Sequence, residues 1–322
     1  MTEVVAGKRW ATDRLGDLVG RIRRVPDTHR QFGDDLAIAT RLHRIDPPLL
    51  ERLLDVGLPH RGTGPDRLFD SLDLENVALD LGLPSPRGRA IRWWSRALVH
   101  DKGDLSRLRS VTVSSRCPDV GHRGVCDFAL RQDLARTAVS GRVRASGGSF
   151  QFDVRMTHRE VRLGRRFTPL VEQVTPLQFH ILPRTLHDDL GFARATQLAS
   201  CGLATRLTVH LARDLSLPVR SAYGYFMTEP YLTWHTWPEF NIDGEWMAAD
   251  PFMLNACYRW GLAGSDRWAV TDTVSGLMWT VGRSDPDAPS APYRPVTHCG
   301  TPVPATLMAK VASAELDRAR PN

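Results

Sequence analysis

The sequence predicts an α+β protein, with a helical N-terminal region at residues 1–104 and a mixed domain at residues 105–322. Three observations support this fold class. Apolar residues recur at helical spacing in the first hundred residues, and strand-like alternation begins after residue 105. Further along, Asp243-Gly244 interrupts an alternating segment as a hairpin turn would. A length of 322 residues allows about two domains.

The N-terminal region contains three predicted helices. The first follows an apolar stripe over residues 15–25, and the third runs over residues 68–81. The second begins at Pro47-Pro48, because proline is tolerated in the first turn of a helix. Apolar stripes of this kind usually form a core, and nothing in them indicates catalysis. We therefore interpret this region as a cap or a partner-binding domain.

Two segments between residues 105 and 180 alternate with the period of a β-strand. They are 111–113 and 149–156, and Gly147-Gly148 marks a turn before the second. Residues 284–305 are rich in proline and predict a loop. After this loop we expect a last amphipathic helix, with its apolar face formed by Leu307, Met308, Val311 and Leu316.

Cys201 opens a segment with helical periodicity. Apolar residues stand at 203, 204, 207, 211 and 215, and Ser200 occupies the position of an N-cap. The thiol therefore lies in the first helical turn, where the partial positive charge and free N–H groups stabilise a thiolate. A free cysteine beside an apolar helix is more commonly a buried core residue. Cys201 alone does not indicate a function.

The Asp243-Gly244 turn predicts how the flanking strands pair. A two-residue turn pairs Ile242 with Glu245, so that the numbers of paired residues sum to 487. This register makes His235 and Asp250 diagonal neighbours on one face, with Cα atoms about 7–8 Å apart. A carboxylate at that distance can accept a hydrogen bond from an imidazole. A shift of one residue would place the two on opposite faces.

A series of motif residues spans roughly residues 190–255. They are Cys201, Leu211-Ala212-Arg213, Pro218, Arg220, Gly224-Tyr225, His235, Trp237, Glu239, Trp246 and Asp250-Pro251. This series resembles bacterial members of the transglutaminase-like superfamily, which are papain-type cysteine enzymes. The resemblance implies a core in which the cysteine helix packs on an antiparallel sheet. It also implies Cys201 as nucleophile, His235 as base and acid, and Asp250 as the group that orients the histidine.

Such a triad implies acyl transfer through an acyl-enzyme, with no metal or cofactor required. The acyl donor would be a peptide, an amide or a thioester, and the acceptor an amine or water. We favour an amide-forming acyltransferase, for which a carrier protein could present the acyl group. A cysteine peptidase or amidase would use the same residues with water. A non-catalytic scaffold on this fold would lack a reactive thiol.

Charge and composition limit the other partners. The net charge is +6, but only three of the 42 basic residues are lysine, a bias typical of a GC-rich genome. The arginines form no stripe and no nucleic-acid motif, so we expect no nucleic-acid partner. The N-terminal residues lack the apolar core of a signal peptide, and no apolar run is long enough to span a membrane. Five unevenly spaced cysteines favour a cytoplasmic protein with reduced thiols.

Cys117, His122 and Cys126 superficially resemble part of a zinc site. Their spacing is not that of a common zinc finger or ribbon, and no paired Cys-x-x-Cys follows. His298 and Cys299 could in principle complete a set of four ligands. Because the spacing is unusual, the sequence favours no metal site here.

Overall fold

The computed structural model describes residues 10–98, 102–119, 121–264, 266–288 and 293–312. The described residues form two compact units that alternate along the chain. One consists of those in 1–91 and 180–200, and the other of those in 92–179 and 201–322. The domain boundary after residue 104 stays a prediction.

Helices and antiparallel sheets together make this an α+β structure, as the sequence predicts. The α-helices are α1 (Thr12–Ile22), α2 (Leu36–Arg41), α3 (Pro47–Asp55), α4 (Ser71–Asp80), α5 (Pro86–Leu98), α6 (Gln132–Ala135), α7 (Thr168–Val174), α8 (Leu190–Thr196), α9 (Cys201–Asp214) and α10 (Pro251–Arg259). Short 3-10 helices span Asp27–His29, Gly64–Asp66, Lys102–Leu105, Arg165–Phe167, Arg184–Leu186 and Ser275–Leu277.

The strands are mostly short, and the longer ones belong to the second unit. They are β1 (Phe32–Asp34), β2 (Phe69–Asp70), β3 (Leu108–Ser115), β4 (Phe128–Leu130), β5 (Ala138–Gly141), β6 (Arg144–Ala145), β7 (Ser149–Arg155), β8 (Gln178–Phe179), β9 (Leu198–Ala199), β10 (Val219–Phe226), β11 (Thr233–Ile242), β12 (Glu245–Ala248), β13 (Met278–Ser284), β14 (Val296–His298), β15 (Thr301–Val303) and β16 (Ala305–Val311).

The first unit is a helical assembly around one apolar core. Helix α1 packs against both α3 and α4, and the inward residues of the three helices are almost fully buried. These are the three helices predicted from the apolar stripes. Pro47 stands in the first turn of α3, where Asp46 caps the helix by accepting a hydrogen bond from the Leu49 N–H at 2.9 Å.

The second unit is organised around a central antiparallel sheet with the strand order β12-β11-β10-β13. Helix α9 packs against β11 and β10. Apolar residues of β10 and β13, among them Tyr225 and Trp279, share a second core with the sheets β16-β3-β7-β5 and β15-β14-β4-β6. The predicted strand at 111–113 is confirmed as part of β3, and the one at 149–156 as β7, which ends one residue earlier at Arg155.

The prediction of a last amphipathic helix is wrong over the residues that the structure describes. Residues 305–311 form β16, which pairs antiparallel with β3. Leu307 and Ala309 are buried in this strand whereas Lys310 is exposed, which is the alternation of a strand with one buried face. Leu316 lies outside the described residues. The available partner strand decides the conformation of a segment whose apolar pattern suits both structures.

Gly224 lies where two backbones of the central sheet approach closely. A Cβ at this position would overlap the carbonyl oxygen of Trp279 and lie 3.1 Å from the Trp237 ring. We expect Gly224→Ala to lower the free energy of unfolding by about 3 kcal/mol, because backbone atoms cannot move aside as a flexible side chain can. Gly202→Ala is the matched control, since a Cβ there meets no atom within 4 Å. Urea denaturation should show the control to be as stable as the wild type or slightly more so.

Within the described ranges, no helix combines the length and the apolar character needed to cross a membrane.

Candidate active site

Helix α9 begins at Cys201, so the thiol lies in the first turn, where the sequence predicts it. Its side chain is half-buried. One turn later, on the same face of the helix, the Thr205 hydroxyl donates a hydrogen bond to the Thr236 carbonyl at 3.0 Å. This bond fixes the start of α9 against β11. Cys201 therefore lies beside the backbone of the strand that carries the candidate base.

His235 stands near the beginning of β11, where it pairs with Gly224 of β10. The side chain is almost completely buried. Its ring lies between aromatic neighbours: the Trp237 ring stacks at 5.9 Å between centroids, and the Trp94 ring meets it edge-on at 5.7 Å. The packing holds the imidazole in one orientation and keeps bulk water away from most of its surface.

The β11–β12 hairpin has the predicted register. Ile242 pairs with Glu245 and Glu239 with Ala248, around a turn in which Asp243 and Gly244 both have positive φ. The predicted extension of this pairing to Asp250 is wrong, because β12 ends at Ala248. Asp250 caps α10 instead.

Asp250 nevertheless contacts His235. Its Oδ2 lies 2.7 Å from Nε2 of His235, and its Oδ1 accepts a hydrogen bond from the Met253 N–H at 2.9 Å. The side chain is buried, and Pro251 follows it in the first turn of α10. The carboxylate is therefore held by the helix start that it caps, and its second oxygen is directed at the imidazole. Such an arrangement fixes both the ring orientation and the tautomer.

Cys201 and His235 shift each other's pKa in opposite directions. Burial alone would raise the pKa of Cys201, but contact with the His235 imidazole and a hydrogen bond from the Thr236 backbone hold it below the usual value of a thiol. Burial alone would lower the pKa of His235. The hydrogen bond to Asp250 and the contact with Cys201 instead raise it well above its usual value. These directions favour a thiolate–imidazolium pair over the neutral pair.

The second ring nitrogen of His235 is the one available to the thiol. Nε2 is occupied by Asp250, whereas Nδ1 is buried and has no partner in full hydrogen-bond geometry. Buried polar atoms without such a partner are uncommon, and a catalytic role is one explanation for them. Catalytic hydrogen bonds are often long or poorly aligned before a substrate binds, so Nδ1 remains the candidate atom to exchange a proton with the thiol.

Trp94 contributes to the site although it lies outside the motif residues. Trp94, on α5, packs on His235 and donates a hydrogen bond from Nε1 to the Thr233 hydroxyl at 3.3 Å. It also meets Phe226 edge-on at 5.5 Å. The chain separation of about 140 residues hides this contact from any local pattern.

The motif residue Glu239 forms an ion pair with Arg220. It is buried on β11, and its Oε2 lies 2.7 Å from Nε of Arg220, the residue opposite it on β10. The guanidinium also lies over the Trp246 ring, 3.9 Å from the centroid. The motif residues Arg220, Glu239 and Trp246 thus form one contact group across the neighbouring strands β10, β11 and β12. The Glu239 carboxylate also lies 3.5 Å from the Thr280 hydroxyl and 3.6 Å from Nε of Arg283.

Comparison with known proteins identifies the segment that contains this site. Residues 185–251 match the family model of the transglutaminase-like superfamily. No curated protein matches the chain. Among solved structures, the chain is similar to a candidate cysteine protease from Cytophaga hutchinsonii, with 12% identity and a TM-score of 0.27, over 64% of this chain and 90% of that one. Residues 185–251 therefore contain the core of the transglutaminase-like superfamily, which confirms the predicted family and supports cysteine-based catalysis in general.

Proposed function

We propose that this protein is an acyltransferase that forms amide bonds through a Cys201 acyl-enzyme. One observation carries the proposal: Asp250 holds Nε2 of His235 at 2.7 Å, which leaves the buried Nδ1 free to exchange a proton with the thiol. The opposite pKa shifts of Cys201 and His235 support an activated nucleophile.

The reaction would proceed in two halves. The Cys201 thiolate attacks the carbonyl of an amide or thioester, and the protonated His235 gives its proton to the leaving amine or thiol. In the second half an amine attacks the Cys201 thioester, His235 accepts its proton, and the thiolate is regenerated as the amide leaves. Asp250 would orient His235 and stabilise its charge in both halves.

Shielding from water favours an amine as the acceptor. His235 and Asp250 are buried, and the rings of Trp94 and Trp237 lie against the imidazole. A site that excludes water slows hydrolysis of a reactive acyl-enzyme and so gives an amine time to bind. A cysteine peptidase or amidase is the second candidate function, because the same three side chains serve either acceptor.

The acyl donor we propose is a peptide, an amide or a thioester. The net charge of +6 suits an acidic partner, and a carrier protein that presents an acyl thioester is a candidate of this kind. A cytoplasmic location would agree with five unpaired cysteines. The cytoplasmic location, like the donor, stays a prediction.

The test is to trap the acyl-enzyme. The full chain would be incubated with an acetyl thioester of N-acetylcysteamine, or with a glutamine-containing peptide, and its intact mass measured. We expect an acyl adduct on Cys201 of the wild type and none in Cys201→Ala. Cys299→Ser is the matched control, since it removes an exposed thiol and should retain the adduct.

Addition of a primary amine separates the candidate functions. An amide product would support the acyltransferase, whereas a carboxylic acid in the presence of excess amine would favour the peptidase or amidase. If neither donor modified Cys201, and if this thiol reacted only as fast as an ordinary one, the protein would be a non-catalytic scaffold.

A further inference from the structure

Four potential metal ligands converge in the second unit. Cys117, His122, Cys126 and His298 each direct one ligand atom into a common space, and these atoms all lie within 4.8 Å of one another. The four belong to neither the candidate catalytic residues nor their aromatic neighbours. They are two thiols and two imidazoles, a combination that favours zinc over the oxygen-preferring cations.

The sheet brings these residues together from distant parts of the chain. Three ligands stand in the loop that connects β3 to β4, and the fourth ends β14. His298 pairs with Phe128 of β4, two residues beyond Cys126. Next to it, the Cys299 N–H donates to the Asp127 carbonyl at 2.8 Å. The strand pairing thus fixes His298 beside the end of the loop.

The separations within the cluster agree with tetrahedral zinc. Zn–S bonds of about 2.3 Å and Zn–N bonds of about 2.0–2.1 Å place neighbouring tetrahedral ligand atoms roughly 3.3–3.8 Å apart. Nδ1 of His122 lies 3.3 Å from Sγ of Cys126 and 3.7 Å from Sγ of Cys117. Two of the ligand pairs are therefore already at the spacing that a zinc ion would impose.

The backbone of the loop suits an inward-turned histidine. A Cβ at Gly124 would lie 2.9 Å from Nε2 of His122, so glycine leaves room for this ring. The His298 ring is buried and packs at 4.8 Å from the Phe128 ring and 5.4 Å from the His122 ring, measured between centroids. Apart from short turns, the described part of the loop has no regular secondary structure. A metal would add a cross-link between this loop and β14.

We propose that Cys117, His122, Cys126 and His298 bind one Zn²⁺ in a structural site. Binding releases the two thiol protons, and two thiolates with two neutral imidazoles then balance the charge of the cation. Four protein ligands leave no open position for substrate or water, which is typical of a structural zinc site rather than a catalytic one. The ion would tie the β3–β4 loop to β14.

The test begins with the metal content of the full chain. Purified from zinc-containing medium, the wild type should hold about one zinc per chain by plasma mass spectrometry. After removal of zinc, Co²⁺ should produce the intense ligand-field absorption of a tetrahedral site and a thiolate charge-transfer band. Bound zinc should protect Cys117 and Cys126 from alkylation, as read by peptide mapping. Because these measurements use the wild type, they do not depend on whether a variant folds.

Variants assign the ligands. Cys126→Ser and His298→Asn should each lose most of the zinc, whereas Cys201→Ser and Cys299→Ser should retain it. If Cys299→Ser lost its zinc whereas His298→Asn retained it, the assigned set of ligands would be wrong. A metal-free wild type that remains unable to bind Co²⁺ would overturn the site itself. So would a Cys117–Cys126 disulfide in freshly purified protein, or zinc bound equally by Cys126→Ser and the wild type.

Discussion

Replacing His235 by alanine should slow alkylation of Cys201 at pH 6 by about tenfold or more. In the wild type, contact with the imidazole lowers the pKa of the thiol against the opposing effect of burial. Without the ring, burial and the Asp250 charge remain, and both raise the pKa of Cys201. Less thiolate is then present at pH 6, by a factor of about ten for each unit of pKa.

The midpoint of the pH profile is a better readout than the rate at one pH. A thiolate of higher pKa is also more nucleophilic, and this gain offsets part of the loss of thiolate. Iodoacetamide labelling of the full chain should therefore be followed from acidic to alkaline pH, with Cys201 resolved by peptide mapping. Since the pKa of Cys201 is lowered and that of His235 raised, labelling in the wild type should persist below the range of an ordinary thiol.

His210→Ala provides the matched control for this experiment. His210 lies on the same helix as Cys201, but its Nε2 contacts Asp287 at 3.1 Å. Its removal should leave the pH profile of Cys201 unchanged. If His235→Ala and the wild type gave the same profile, His235 would not activate the thiol, and the proposed mechanism would fail.

The local features of the site could be predicted from the sequence, since each depends on residues close together in the chain. The periodicity after Cys201 predicts α9, and Asp243-Gly244 predicts the register of the hairpin. The path of the chain after Ala248 could also have been predicted. Asp250-Pro251 is an N-cap followed by a first-turn proline, which is a helix-start signal that competes with continuation of the strand. Asp250 is near His235 for a different reason from the one predicted.

Contacts between distant segments could not be predicted in this way. Trp94 reaches His235 from α5, and His298 reaches the β3–β4 loop through pairing of β14 with β4. Neither contact leaves a local pattern. The spacing of Cys117, His122 and Cys126 matches no common zinc motif in the sequence. The fourth ligand of the proposed site, His298, is brought beside them only by the pairing of β14 with β4. Residues 305–311 likewise become a strand because β3 offers them a partner.

Replacing Asp250 by asparagine should lower the rate of Cys201 acylation by about 10³–10⁴, with little change in stability. The amide oxygen can still accept the Met253 N–H, and asparagine is as good an N-cap as aspartate. The amide nitrogen, however, can only donate to Nε2 of His235. The ring proton is then forced onto Nδ1, which can no longer accept the proton of the thiol.

Asp250→Ala separates the two roles of this side chain. It removes the helix cap, at about 1 kcal/mol, and leaves Nε2 of His235 buried without a partner, at about 1–3 kcal/mol. We therefore expect both variants to be slow in acylation but only the alanine variant to be less stable in urea denaturation. Release of p-nitrophenol from p-nitrophenyl acetate measures the acylation rate without a known substrate.

Asp46→Asn is the control for the chemical change itself. Asp46 also caps a helix whose first residue is proline, and its Oδ1 accepts a hydrogen bond from the Leu49 N–H. No histidine is among the hydrogen-bond partners described for its side chain. The same substitution there should alter neither acylation nor stability by a measurable amount. If Asp250→Asn acylated as fast as the wild type, Asp250 would act only as the cap of α10. The tautomer of His235 would then not depend on this carboxylate, and the role proposed for Asp250 in acylation would fail.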